Sequence, residues 1–218
     1  PMDFFTYKPP LDPLSILYVD QDILVVDKPS GLLSVPGKNL EHRDCLETRV
    51  RMQFNDVLLV HRLDMDTSGV MIFGLNKNSQ RHLSLQFEKR TIEKIYEARV
   101  VGVISENSGC IDLPLIVDWP NRPLQMVDLE NGKQAKTDWR VIRREADATR
   151  IELNPKTGRS HQLRVHMLAI GYTIIGDRFY GTDYEINLAD RLQLHALHLN
   201  ICHPVSGALM RFTSPVPF

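Results

Sequence analysis

The feature that most restricts the fold is the order in which short β-branched runs follow one another. ILYVD (16–20) and ILVVDK (23–28) are parted only by Gln21 and Asp22, and TDWRVIRR (137–144) and TRIELN (149–154) flank a polar turn. LQLHALHLNICHP is followed by GALMRF across the turn from His203 to Gly207. Apolar runs joined by short polar turns read as hairpins. VLLVHRLD reads as a strand running into a loop, and VMIFGL (70–75) as a further buried strand. Regular alternation of strand and helix is not sustained, so the chain is expected to be α+β on a mostly antiparallel sheet.

Helical periodicity is limited to three places. Leu46, Val50 and Phe54 recur every four residues within 44–54, with Arg43, Arg49 and Arg51 turned outward. Asn76 or Asn78 is placed to cap a helix that buries Leu83 and Phe87 and ends near Arg90. Ser160–Ile170 reads as a helix capped by Ser160 and closed by Gly171. Between the second and third, Lys94–Val101 has a period of two that puts Tyr96, Ala98 and Val100 on the more apolar face. The first ten residues, PMDFFTYKPP, carry three prolines and read as an irregular arm or the start of a wrap.

At 218 residues the chain suits one domain spanning 1–218, and no linker divides it. No apolar run approaches the roughly 20 residues of a membrane span, and the start lacks the basic-then-apolar order of a secretory signal. A cytoplasmic protein is expected. Cys45, Cys110 and Cys202 are odd in number and widely spaced, which excludes a disulfide framework or CxxC motif and suggests small apolar fillers. The net charge of −1 does not itself point to nucleic acid. A polyanion-binding face would require the 26 lysines and arginines to be segregated, with Lys38, Arg122 and Arg159 standing in loops as candidates.

HRLDMDTSG (61–69) is the sharpest local feature, because it delivers a histidine, an arginine and two carboxylates from a strand into a loop closed by Gly69. An aspartate two residues from an arginine can hold a charge-assisted pair, either as part of a site or as a surface ion pair. Asp64, Asp66, Ser68 and Gly69 occupy the first positions of a calcium loop, but Leu75 stands where its bidentate glutamate is required. His195, His198 and His203 have no zinc-like spacing on a strand and read as core or hydrogen-bonded histidines. No metal site is expected. In TGRSHQLRVH (157–166), His161, Arg164 and Leu168 share one helix flank, which makes Arg164 half-buried. Its stem then packs on Leu168, or its guanidinium is aimed at a buried carboxylate or phosphate.

Taken in order, ILVVDKPSGLLSVPG, HRLDMDTSGV, KIYEARV, TGRSHQLRVH, IIGDRFYG, LHALHL and HPVSG closely resemble the RluA family of bacterial pseudouridine synthases over nearly the whole chain. The DWPNRP segment (118–123) and the absence of an S4-type RNA-binding module look like its short branch, which modifies 23S ribosomal RNA and tRNA anticodon stem-loops. The resemblance implies two lobes with a central, mostly antiparallel sheet and an active-site cleft between them. It makes Asp64 the catalytic aspartate, Arg62 the arginine that enters the RNA stack as the target uridine leaves, Tyr96 the active-site tyrosine, and Arg164 the basic partner of the aspartate.

Pseudouridine is an isomer of uridine, so no redox partner, metal or energy source is required, and no cofactor is expected. The carboxylate either attacks the sugar carbon or takes a neighbouring proton as uracil departs. Tyr96 then accepts the C5 proton, relays it, or stacks on the base. Flipping the uridine costs a few kcal/mol, which an inserted arginine can offset. RNA is the expected partner, bound by a monomer with no obligate protein partner. Two rivals remain: an RNA-binding module without catalysis, and a carboxylate-based glycosidase. For the second, Asp66 is the only obvious neighbour of Asp64, and on a turn it is read as solvent-facing.

Overall fold

The computed structural model describes residues 6–218; the part of the expected arm before Thr6 lies outside the described residues. In chain order the strands are β1 (Ser15–Val19), β2 (Ile23–Lys28), β3 (Leu58–Leu59), β4 (Ser68–Gly74), β5 (Glu93–Val101) and β6 (Ser108–Asp112). They continue with β7 (Leu115–Val117), β8 (Gln125–Val127), β9 (Lys136–Arg144), β10 (Ala148–Pro155), β11 (Leu194–Cys202) and β12 (Leu209–Thr213). The α-helices are α1 (Leu46–Arg51), α2 (Lys77–Glu88), α3 (Gln162–Ala169) and α4 (Asp183–Ile186). These elements form two compact units, one of Tyr7–Lys94 with His195–Phe218 and one built on Ile95–Leu194.

In the unit of Tyr7–Lys94 and His195–Phe218, the strand order is β1-β2-β4-β11-β12, with β3 beside β4. All pairs are antiparallel except β4 and β11, which meet in parallel at Ser68/His195 and Gly69/Ala196. Every residue of β4 is buried, as its unbroken apolar run requires. Ile23, Val25, Val70, Ile72, Leu83, Leu199, Ile201 and Phe212 form the core, each large side chain contributing about 1.5–3 kcal/mol by leaving water. Asn76 caps α2 by accepting the Ser79 N–H at 2.9 Å, which sets the helix phase that buries Leu83. The early segment wraps onto α1: Tyr7 donates to the Asp44 carbonyl at 2.7 Å, and the Pro10 carbonyl accepts from Arg49 at 2.7 Å.

The other unit holds the antiparallel order β5-β10-β9-β6 and a separate β7–β8 hairpin. Ala98, Val100, Ile151, Leu153, Leu163 and Met167 build its core, and Tyr96 packs against it with Ala98 and Val100 as the period of two requires. Gly171, at φ +90°, closes α3 in the conformation that disfavours side chains.

Three local expectations fail. VLLVHRLD supplies only the two residues of β3, and by Leu63 the backbone is turned into hydrogen bonds with Ser34 instead of a neighbouring strand. Ser160 does not cap α3; His161 takes that place in the left-handed region at φ 54°, with no side-chain capping bond. Of the cysteines, only Cys45 is a buried filler, while Cys110 is exposed.

Candidate active site

The backbone around Asp64 is clasped on both sides by the segment 28–34. Ser34 Oγ donates to the Leu63 carbonyl at 2.6 Å and accepts the Leu63 N–H at 3.1 Å. Beyond Asp64, the Met65 carbonyl accepts from Lys28 Nζ at 2.8 Å and from the Gly31 N–H at 2.9 Å, while Ser30 Oγ donates to the Asp66 carbonyl at 2.7 Å. Lys28 is fully buried and also donates to the carbonyls of Pro29 and Leu32, so its ammonium is satisfied by three oxygens. KPSGLLS is a brace for the carboxylate loop. The only sequence signal for this was a lysine set among residues suited to turns.

His61 anchors the entry to the loop. Its Nε2 accepts the Ile72 N–H at 2.9 Å, which puts the proton of the neutral ring on Nδ1. The ring stacks on Phe87 at 4.6 Å, and burial, with Lys94 as a lesser cause, pushes its pKa down to about 3. At the exit, Ser68 Oγ donates to His195 Nδ1 at 2.7 Å, and His195 Nε2 donates to the Ser214 carbonyl at 2.8 Å. Gly69 has φ +119°, and a Cβ there would lie 2.2 Å from the Ala196 carbonyl oxygen, so only glycine allows β4 and β11 to meet.

Within this frame Asp64 is half-buried and Arg62 is exposed. The expected Arg62–Asp64 pair does not form, and Arg62 makes no hydrogen bond or ion pair among the described residues. Residues two apart on an irregular segment diverge, which leaves Arg62 projecting outward. Asp66, read as solvent-facing, is 6% exposed, because the turn is folded inward by the Ser30 bond.

Arg164 is held differently, in the other unit. Its Nε and Nη2 donate to the two Asp177 oxygens at 3.0 and 2.6 Å, a bidentate pair in which both side chains are 1% exposed. Asp177 Oδ1 also accepts the N–H groups of Phe179 and Tyr180, and the guanidinium lies 4.9 and 5.6 Å from their ring centres. Arg164 is therefore buried and not half-buried, while Leu168 is 40% exposed. The short turn of GDRFYG brings Asp177 back onto α3, which helical spacing alone could not reveal. His161 bonds Tyr180 Oη through Nδ1 at 2.6 Å and stacks on Phe179 at 5.4 Å, which holds its left-handed backbone in place.

The remaining histidines find separate partners. His198 bonds Thr213, and His166, lowered in pKa by burial, donates from Nε2 to the Leu113 carbonyl. His203 does join Asp20 and Asp22, with possible ligand atoms within 4.8 Å of one another. Each member is already engaged: His203 Nε2 donates to Asp20 at 2.8 Å, its Nδ1 accepts two backbone N–H groups, and Asp22 accepts from Asn76. The cluster ties the β1–β2 turn to the turn after β11, and HPVSG supplies the histidine for it.

The sequence profile described as RNA pseudouridylate synthase matches residues 22–169, a stretch that includes the braced carboxylate loop and the paired arginine. The chain belongs to the RNA pseudouridylate synthase family. Within it, the chain is 52% identical over 219 residues to the dual-specificity RNA pseudouridine synthase RluA of Salmonella typhimurium, covering 100% of both chains. The RluA of Escherichia coli K12 is equally similar, at 52% with full coverage, and that of Vibrio vulnificus is 48% identical over 100% of this chain and 89% of its own. Among solved structures, human RNA pseudouridylate synthase domain containing 1 matches 94% of this chain and 84% of its own with TM-score 0.79 at 29% identity. Human RNA pseudouridylate synthase domain containing 4 shares the fold, with TM-score 0.75 at 24% identity over 93% of this chain and 88% of its own. The pseudouridine synthase is thus an isomerase of uridine in RNA, and its α+β fold is that of the family. Among the described residues, no helix is long and apolar enough to cross a membrane.

Proposed function

We propose that Asp64 is the catalytic carboxylate of this pseudouridine synthase, that Arg62 fills the place of the flipped uridine, and that Tyr96 and Arg164 complete the catalytic set. The observation that carries the reading is the brace around Asp64: hydrogen bonds fix Leu63, Met65 and Asp66, so a carboxylate between them is presented in one place. Beside it Arg62 projects outward with its planar guanidinium available for stacking.

The reaction breaks the bond between uracil N1 and ribose C1′, forms one between C5 and C1′, removes the C5 proton and returns a proton to N1. No atom or electron is gained or lost, which is why a carboxylate, a proton acceptor and positioning groups suffice. Asp64 acts either as nucleophile at the sugar or as base toward a neighbouring proton, and Tyr96 accepts or relays the C5 proton or stacks on the base. The substrates proposed are uridines in 23S ribosomal RNA and tRNA anticodon stem-loops, in keeping with relatives named dual-specificity synthases. A single catalytic domain spanning the chain is supported by a family match that crosses both compact units. A monomer working in the cytoplasm completes the reading.

The deciding experiment is Asp64→Asn. Isomerisation should be abolished while folding and RNA affinity persist, because an amide of similar volume is neither base nor nucleophile. Turnover within tenfold of the parent would remove Asp64 from the chemistry. In the same assay, released uracil from the parent protein would indicate a hydrolase, and unchanged RNA a binding module.

A further inference from the structure

The β7–β8 hairpin carries an exposed aromatic–cation pair that the isomerisation chemistry leaves without a task. Trp119 opens the 3-10 turn Trp119–Asn121 and is 66% exposed, and the Arg122 guanidinium lies 4.6 Å from its ring centre. Arg122 Nη1 also donates to the Trp119 carbonyl at 3.0 Å, which fixes the guanidinium beside the indole. The loop is internally closed: Asp118 N–H donates to the Leu124 carbonyl, Leu124 N–H to the Asn121 carbonyl, and Asn121 Nδ2 to Asp118 Oδ2. Pro120 and Pro123 further restrict its backbone. A tryptophan in so ordered a loop, turned outward, is a prepared surface.

The stem of this hairpin is anchored. The Gln125 N–H donates to Tyr180 Oη at 2.9 Å, the same oxygen that bonds His161, and Val127 and Tyr180 pack against Leu115, Ala135 and Val165. Tyr180 flanks Arg164, so the pair stands on the scaffold that holds the buried arginine.

We propose that Trp119 and Arg122 form a stacking platform for an unpaired base of the substrate RNA other than the uridine that is isomerised, and so help to determine which RNA loops are accepted. Every base has a π-face that an indole can cover, and single-stranded loops are read by such stacking. The neighbouring guanidinium favours a polyanion over an apolar protein surface, since its N–H groups can meet phosphate while its plane stays on the ring. The inference rests on RNA being the substrate, but not on the roles assigned to Asp64 or Arg62.

The test uses the full chain and a synthetic tRNA anticodon stem-loop. Alanine replacement of a base-stacking aromatic costs an amount equivalent to about 5- to 150-fold in affinity, so Trp119→Ala should raise KM by about tenfold or more, with the loss carried in KM and not in kcat. Trp119→Phe, which keeps a π-face, should stay within about threefold of the parent. The chain has two tryptophans, so the difference in fluorescence quenching between the parent and Trp119→Phe isolates Trp119, and it should saturate with RNA concentration. Because that signal requires no turnover, it can be read in the Asp64→Asn background, and failure of the platform is distinguishable from failure of the catalytic assignment. A KM for Trp119→Ala within twofold of the parent, or quenching of Trp119 by an added protein and not by RNA, would overturn the proposal.

Discussion

The loop around Asp64 is fixed by hydrogen bonds from two serines, a glycine N–H and one lysine to backbone groups, whereas Arg164 is fixed by a fully buried ion pair under two aromatic rings. A brace made mostly of neutral groups divides the work among several bonds, each worth about 0.5–1.5 kcal/mol, so it fails in stages. A buried pair concentrates the work in two charges, so a single substitution removes both of its bidentate hydrogen bonds at once. One chain thus positions two charged groups by a distributed device and by a concentrated one.

The largest effect expected from this contrast is at the pair. Arg164→Met or Asp177→Leu alone should destabilise the protein by about 3–5 kcal/mol, because each takes the bidentate partner from a buried charge. The double substitution should recover much of that stability without restoring activity. Urea unfolding of the three variants decides the point, and additive losses would place Arg164 and Asp177 outside a common pair.

At the brace a smaller effect is expected. Ser34→Ala leaves the buried Leu63 N–H and carbonyl without their partner, at a cost of about 1–3 kcal/mol, and should lower kcat by loosening the placement of Asp64. An unchanged melting temperature and kcat would show that the remaining contacts suffice.

His61 gives the brace a pH limit. Its pKa falls from 6.5 to about 3 on folding, so between those values the unfolded chain binds more protons and stability is lost as pH falls. The contribution is present in full above about pH 6.5 and declines by at most about 1.4 kcal/mol per pH unit toward pH 3. His61→Gln keeps an acceptor for Ile72 but does not titrate, so the acid slope of its unfolding free energy should be shallower. Equal slopes would assign the acid sensitivity to other groups.

The smallest effect on stability belongs to Arg62. Being exposed and without an ion pair or hydrogen bond among the described residues, it should tolerate alanine within about 0.5 kcal/mol. Activity should nevertheless fall sharply, and Arg62→Lys should fail nearly as badly as Arg62→Ala, since an ammonium has no plane to stack. Single-turnover assays on paired and loosened hairpins test this, because the defect should shrink where flipping is easier. Rescue by lysine would reduce Arg62 to an electrostatic contact.

What the sequence revealed follows physical range. Periodicity located β2, β4, β9, β10 and the Asn76 cap within a residue or two, because those patterns are set by neighbours along the chain. The family resemblance located the candidate residues. Their supports were not visible: Ser34 meets Leu63 across 29 positions, and Asp177 reaches Arg164 through a turn of its own. The misread half-burial of Arg164 and the missing Arg62–Asp64 pair share one cause, which is that helical or sequential spacing says where a side chain starts and not which distant group meets it.

The parallel contact of Gly69 with Ala196 also has a meaning in time. Residues 61–69 emerge from the ribosome long before the strand that receives them, and Ser68 meets His195 across 127 positions. A nascent chain halted before His195 therefore carries HRLDMDTSG with its exit unsecured. Closing so distant a contact is slow compared with forming local hairpins, so setting the candidate carboxylate loop belongs to the late stage of folding. Until that contact closes, the loop lacks the Ser68–His195 bond that secures its exit.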